Sequence, residues 1–237
     1  MTDVPVRLPR RLALAVPLAG LAAGTLRIGQ AKAALSSAQA QEAMCVLTPQ
    51  STEGPFFFDP KLVRRTIADG CPGAPLRLVL RVVDAASCQP MPGARVDVWH
   101  ADAQGRYSGY PRQGDGRDID TSGEQFLRGT QFADASGALM FETIWPGWYP
   151  GRATHIHFKL FLGERDVATG QIYFPDAVSE QIYADAAAYG GRRARRNVDN
   201  SNDRIVQADD PDHLGFCTVT AEPDGFRASL TIGVAPA

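Results

Sequence analysis

Leu76-Arg77-Leu78-Val79-Leu80-Arg81-Val82 alternates apolar and basic side chains, and that period of two decides the fold class. Successive side chains of an extended chain point to opposite faces, so Leu76, Leu78, Leu80 and Val82 form an inner row and Arg77 and Arg81 an outer one. The same alternation returns downstream in Ala94, Val96 and Val98 against Arg95 and Asp97. It returns again in Ala228, Leu230, Ile232 and Val234 against Arg227, Ser229 and Thr231. Shorter strands are expected at 139–144, 155–162, 171–174 and 217–221, separated by turns such as Met91-Pro92-Gly93 and Pro223-Asp224-Gly225. One helix is expected over 177–187, and 112–124, rich in Gly, Asp and Arg, reads as a long exposed loop able to rim a site. The expectation is an all-β protein, an antiparallel β-sandwich with long active-site loops and little helix.

Composition agrees with one globular domain and excludes several classes. The chain has 237 residues, 24 basic and 26 acidic side chains, a net charge of -2 and 44% apolar residues, which rules out disorder, collagen-like repeats and a coiled coil. Arg192, Arg193, Arg195 and Arg196 are the one basic cluster after the leader. They read as a solvated loop or, less simply, as a guide for an anionic substrate, and nothing in the charge balance points to nucleic acid.

Residues 1–33 have the form of an export signal. Arg7, Arg10 and Arg11 precede an apolar run over 12–26, and Ala31-Lys32-Ala33 supplies a small-x-small cleavage pattern. The adjacent arginines, the interruptions at Pro17, Gly20 and Gly24, and Lys32 favour the twin-arginine route over the general one. The run is shorter than the ~20 apolar residues a spanning helix requires, so no stable membrane insertion is expected after cleavage. The reading is therefore a signal over 1–33, a linker over 34–44 and one domain over 45–237, delivered to the periplasm or the exterior. Cys45, Cys71, Cys88 and Cys217 all follow the signal with no CxxC pair, which suits two disulfides; of three pairings, Cys45–Cys71 with Cys88–Cys217 is preferred.

The chemistry-bearing residues gather around His155-Ile156-His157. On a strand the two imidazoles share one face while Ile156, Phe158 and Leu160 face the core, so one metal ion can take both. Such a pair alone serves zinc, copper or iron, or is simply structural. Two tyrosines sharpen it: Tyr149, in the turn-rich Pro146-Gly147-Trp148-Tyr149-Pro150-Gly151-Arg152, and Tyr107, in the loop after Val98-Trp99-His100. Two tyrosinates with two neutral imidazoles suit a hard trivalent ion, which points to Fe(III).

These residues stand in segments that resemble the intradiol ring-cleavage dioxygenases, closest in style to secreted, twin-arginine-exported relatives of protocatechuate 3,4-dioxygenase and catechol 1,2-dioxygenase. The segments are Thr48-Pro49-x-x-Thr52-Glu53-Gly54-Pro55-Phe56; Gly93-Ala94-x-Val96-Asp97-Val98-Trp99-His100-Ala101-Asp102-Ala103-x-Gly105-x-Tyr107-Ser108; Phe126-x-Arg128-Gly129-x-Gln131; and Thr143-Ile144-x-Pro146-Gly147-Trp148-Tyr149-x-Gly151-Arg152-x-x-His155-Ile156-His157-x-Lys159. The resemblance spans about residues 45 to 234. It implies a non-haem Fe(III) held by Tyr107, Tyr149, His155 and His157, and it carries the family's active-site arginine to Arg152 and its glutamine to Gln171. It further implies a catecholic substrate and O2, ring cleavage between the two hydroxylated carbons, and a cis,cis-muconate type diacid. Tyr149 would act as a general base, Arg152 would stabilise negative charge and Gln171 would orient the substrate. The helical dimerisation region of the catechol-specific members has no counterpart, so a monomer or small homo-oligomer is expected.

Two other readings compete. An exported, non-catalytic aromatic-binding β-sandwich would have lost a ligand, and all four are present. A zinc or copper hydrolase built on the H-x-H pair would require a nearby carboxylate or third histidine as ligand and base; Asp102 and Glu142 are available, but neither stands in a known ligand spacing with His155. His100 is expected to be structural, His213 to lie on the surface and Glu53 to anchor a loop; taken singly, Trp148 and Tyr149 read as packed aromatics, Arg152 as a partner of a carboxylate such as Glu142, and Gln171 as a strand-edge residue. The substrate stays open among catechol, protocatechuate, hydroxyquinol and plant-phenol derivatives, with Arg112 or the 192–196 arginines favouring a carboxylated ring if they face the site.

Overall fold

A computed structural model describes residues 45–59 and 61–235; the export signal read over 1–33 and the linker over 34–44 lie outside them. Eight strands are formed: β1 Pro75–Asp84, β2 Arg95–Trp99, β3 Arg128–Phe132, β4 Ala138–Ile144, β5 His155–Leu162, β6 Arg165–Tyr173, β7 Thr218–Glu222 and β8 Gly225–Val234. Between β6 and β7 lie α1 Asp176–Asp185, a 3-10 turn Ala187–Tyr189 and α2 Arg204–Asp209. One sheet runs β4-β1-β8-β7 and the other β3-β2-β5-β6. The inner rows are the expected ones: Leu76, Leu78, Leu80 and Val82 of β1 are buried together with Ile156, Phe158 and Leu160 of β5 in one apolar cluster.

The antiparallel expectation holds for every strand pair except one. β1 and β8 run parallel, in register from Leu76 opposite Phe226 to Asp84 opposite Val234, because the last strand inserts between β1 and its own hairpin partner β7. β3 was not foreseen, since Arg128-Gly129-Thr130-Gln131 carries no apolar alternation. Arg128, Gly129 and Thr130 are nevertheless buried, because Thr130 donates to Asp97 and Arg128 to Ser108 from inside the fold.

The cysteine expectation is corrected. Cys45 pairs with Cys88, with a Cα separation of 5.2 Å, while Cys71 and the buried Cys217 are free thiols. The physical reason lies at the end of β8. Leu47 bridges to Gly233, and the turn after β1 donates from Ala85 N to Val234 O, so both segments are brought to the same strand end. Cys217 instead belongs to the apolar core.

The arginine cluster is likewise only half solvated. Arg192 is buried against Asp115 and lies over the Trp148 ring, and Arg196 pairs with Asp176 and Glu180, whereas Arg193 and Arg195 are exposed. Among the described residues no helix is long and apolar enough to cross a membrane.

Candidate metal centre

Strand register builds half of the site. β5 opens on His155, and its neighbours set Tyr173 opposite His155, and Gln171 on one side and Trp99 on the other opposite His157. The Trp99 and His157 rings stack with centroids 4.9 Å apart and planes 4° from parallel, which fixes that imidazole's plane.

Loops bring the two tyrosines. Tyr107 follows a turn tied by Asp102, whose Oδ1 accepts from Gln104 N and Arg106 N at 2.9 Å each and whose Oδ2 accepts from Arg106 Nε at 2.7 Å. The loop over 112–124 grips Tyr107 from outside. Gln113 Oε1 accepts from its backbone N–H at 3.0 Å, and the Thr121 hydroxyl donates to its carbonyl at 2.7 Å. Tyr149 arrives on the turn containing Gly147, where a Cβ would strike the carbonyl of Asp102, so only glycine allows the two loops to lie this close.

All four side chains converge on one point. From His155 Nε2, Tyr149 Oη is 3.0 Å away, His157 Nε2 3.1 Å and Tyr107 Oη 3.5 Å. Tyr107, His155 and His157 are buried, and Tyr149 is half-buried with its hydroxyl turned into the cluster. Burial holds His155 well below the usual histidine range and His157 down to about 3, with the Arg152 guanidinium adding to both effects. Burial also raises the phenols, Tyr107 furthest.

The donor set fits a cation. His155 Nδ1 lies 2.7 Å from the Ala153 carbonyl and donates to it, which leaves Nε2 with one lone pair facing four polar atoms, the three just named and Arg152 Nη1. One lone pair accepts one proton, so hydrogen bonds alone leave the cluster unsatisfied, whereas a metal ion satisfies all four groups together. Phenolate oxygen with neutral imidazole is the donor chemistry of ferric iron. Among the described residues no group of three or more His, Cys, Asp or Glu side chains is placed to hold a metal ion. Asp102 is taken by Arg106, and Glu142 pairs with Arg65, so neither carboxylate required by a hydrolase is available.

Polar residues flank the cluster. Arg152 Nη1 lies 3.5 Å from His155 Nε2, while its Nε donates to Asp203 at 2.9 Å and its Nη2 to Gln171 Oε1. Gln171 also accepts from the Tyr173 hydroxyl at 3.1 Å, and its Nε2 donates to Ser51 Oγ at 3.2 Å and Thr52 O at 3.0 Å. Its amide is thus fully engaged by the protein.

The strap over 51–58 closes one wall. Phe56 stacks on Tyr107 at 4.7 Å, Phe57 meets Trp99 at a tilt with centroids 4.8 Å apart, and Gly54, at φ +67°, presents its Cα side to the His157 ring. Glu53 anchors this strap through Lys159 at 2.6 Å, as expected of it. His100 is structural as expected: buried, its Nε2 lies 2.8 Å from Thr143 Oγ1 and its Nδ1 2.9 Å from Ala101 O. His213 is exposed against Phe216, and Arg112 is exposed.

Sequence reasoning missed Asp203, Ser51, Gln113, Thr121 and Arg128. Arg128 is 1% exposed, faces Phe58 at 4.2 Å and holds the Ser108 hydroxyl and carbonyl at 2.9 and 2.7 Å, next to Tyr107. Its place in Phe126-x-Arg128-Gly129 was the one available signal.

Comparison with known proteins gives concordant matches. A family model described as dioxygenase matches residues 52–203. The chain is 35% identical over 133 residues to the protocatechuate 3,4-dioxygenase beta chain of Burkholderia cepacia, a match covering 52% of this chain and 53% of that one; the chain thus spans about half the length of that curated relative. An intradiol ring-cleavage dioxygenase from Tetranychus urticae superposes with a TM-score of 0.73 at 30% identity, covering 81% of this chain and 96% of its own. The dioxygenase domain of a dioxygenase carbohydrate-binding protein fusion from Streptomyces sp. SirexAA-E superposes with a TM-score of 0.59 at 28% identity, covering 81% and 99%.

Proposed function

The chain belongs to the intradiol ring-cleavage dioxygenases, and from that premise we propose that it is a non-haem Fe(III) enzyme cleaving a catechol with O2 between its two hydroxylated carbons to a cis,cis-muconate type diacid. The observation that carries the reading is the convergence of Tyr107, Tyr149 and His157 within 3.5 Å of His155 Nε2. In it Tyr107, Tyr149, His155 and His157 hold the iron. Bound ferric iron supplies the redox centre that makes the catechol ring open to O2.

The remaining chemistry belongs to side chains of this chain. Tyr149 is the less buried of the two phenols, and in this reading its Oη takes a substrate hydroxyl proton as general base. Tyr107 is buried beneath Phe56 and is the fixed member of the pair. Arg152 presents its guanidinium edge beside His155, where positive charge stabilises the anion that develops on the ring. With its amide engaged by Arg152, Tyr173, Ser51 and Thr52, Gln171 contributes by holding Arg152. The aromatic wall of Phe56, Phe57 and Trp99 keeps the cluster dry on the strap side.

The same proposal places the mature protein outside the cytoplasm, as the twin-arginine leader implies; the Cys45–Cys88 disulfide supports an oxidising compartment. The deciding experiment is the visible spectrum of the iron-loaded protein with catechol added anaerobically. A tyrosinate-to-iron band that moves to longer wavelength with catechol and bleaches in air is the expected result. A colourless zinc protein, or a catechol complex that persists in air, refutes the enzyme.

A further inference from the structure

We propose that Asp203 and Asp209, carboxylates at the two ends of helix α2, are positioning residues that clamp Arg152 and Gln171 in the orientation that aims Arg152 at the metal cluster. Asp203 is wholly buried, and both its oxygens are committed. Oδ2 accepts from Arg152 Nε at 2.9 Å and Ala153 N at 2.7 Å, while Oδ1 accepts from Ile205 N at 2.8 Å and Val206 N at 3.4 Å as the helix N-cap. A single carboxylate therefore ties the start of α2 both to Arg152 and to the backbone two residues ahead of His155.

The other end of the helix acts on the other side of the same guanidinium. Asp209 Oδ2 accepts from Ser51 Oγ at 2.7 Å, Ser51 Oγ accepts from Gln171 Nε2 at 3.2 Å, and Gln171 Oε1 accepts from Arg152 Nη2. Arg152 is thus held at Nε from one end of α2 and at Nη2 from the other, which leaves Nη1 directed at His155 Nε2. A guanidinium is a planar fork, so two fixed edges determine the direction of the third. The strap over 51–58 is locked by the same chain of bonds through Thr52 O.

A carboxylate that merely capped α2 would be replaceable by any good cap, and this separates positioning from folding. Asp203→Ser keeps a side-chain oxygen for the helix N–H groups and removes the charge on Arg152. The clamp rests on the ring-cleavage reading for its kinetic consequence but not for its structural one, so the full chain is tested by both, the kinetics on the iron-loaded protein. Expected for folded Asp203→Ser are wild-type iron content and visible band, anaerobic catechol affinity within about threefold, and kcat lower by about 10²-fold, the order associated with roughly 1 Å of misplacement. Read in the full chain loaded with diamagnetic Ga(III) in place of Fe(III), which leaves nearby protons observable, the Arg152 Nε–H resonance, exchange-protected in the wild type, becomes exchange-broadened in Asp203→Ser. Asp209→Ala, outside the cap, gives a smaller loss of kcat in the same direction and supplies the test should Asp203→Ser not fold. Wild-type kcat in folded Asp203→Ser or in folded Asp209→Ala overturns the clamp, as does an unchanged Arg152 resonance in Asp203→Ser. A wild-type protein that binds catechol without turnover defeats the ring-cleavage reading alone, and the resonance then still decides the clamp.

Discussion

Tyr107 and Tyr149 offer the same phenol to the cluster from different surroundings, and their substitutions separate accordingly. Tyr107 is sealed between Phe56 and the strand face, so Tyr107→Phe removes an internal donor that no solvent molecule replaces readily. The expected outcome is loss of most of the visible band and a fall in iron affinity beyond the 10–100-fold typical of losing an outer-shell partner. Equilibrium dialysis against a chelator reads it, and an unchanged affinity would remove Tyr107 from the ligand set. Tyr149 is half-buried, so Tyr149→Phe is expected to retain iron better and to lose turnover instead.

His100 carries a separate, pH-dependent term, since burial lowers its pKa to about 4. The unfolded chain binds a proton there below about pH 6.5 that the folded chain refuses until about pH 4, so this contribution is complete above 6.5 and is lost as the pH falls through that window. Its slope is at most about 1.4 kcal/mol per pH unit. His100→Asn is expected to be less stable at pH 7, through loss of the Thr143 contact, yet flatter between pH 6.5 and 4 in urea titrations. An unchanged slope contradicts the assignment.

At the scale of elements, what was legible in the sequence was whatever a local period could express. The alternation in β1 and β8 and the shared face of His155 and His157 follow from strand geometry alone, and each is observed. β3 escaped because its inward side chains are polar and are satisfied by partners distant in the chain, Asp97 for Thr130 at 33 residues and Ser108 for Arg128 at 20. Asp203 escaped for the same reason: its bond to Arg152 spans 51 residues, and no spacing rule predicts it. The cysteine pairing failed because it is set by where β8 ends, which depends on a parallel pairing that alternation cannot reveal. Gly147 is the element-scale hinge of the site, and Gly147→Ala forces the Tyr149 turn away from the Asp102 loop. Expected are a loss of about 1–3 kcal/mol in denaturant unfolding and a shifted visible band from a displaced Tyr149. Wild-type stability and spectrum would show that the turn yields without cost.

For the molecule as a whole, the proposed function sets an order for metal loading, export and oxidation that follows from where each part sits. The four candidate ligands come from 107 to 157, and their supports reach from Ser51 to Asp209, so the cluster exists only once almost the entire domain has folded. A twin-arginine route carries folded chains, so under the proposed export and iron chemistry the cytoplasm would be the compartment in which iron is installed. The disulfide obeys the opposite constraint. Cys45 and Cys88 close a 43-residue separation that ends before the first candidate ligand, and a reducing cytoplasm leaves them as thiols. On the chain-entropy model this closure adds about 4 kcal/mol once formed. Replacing Arg10 and Arg11 by lysine is therefore expected to trap a cytoplasmic form that contains iron, alkylates at all four cysteines when denatured, and is less stable than the exported form by up to about that amount. Oxidising it in vitro should restore the difference and leave two alkylatable cysteines, Cys71 and Cys217. Recovery of the exported protein from the lysine variant, or of trapped protein without iron beside iron-loaded exported protein, would reverse the proposed order and assign metal loading to the outer compartment.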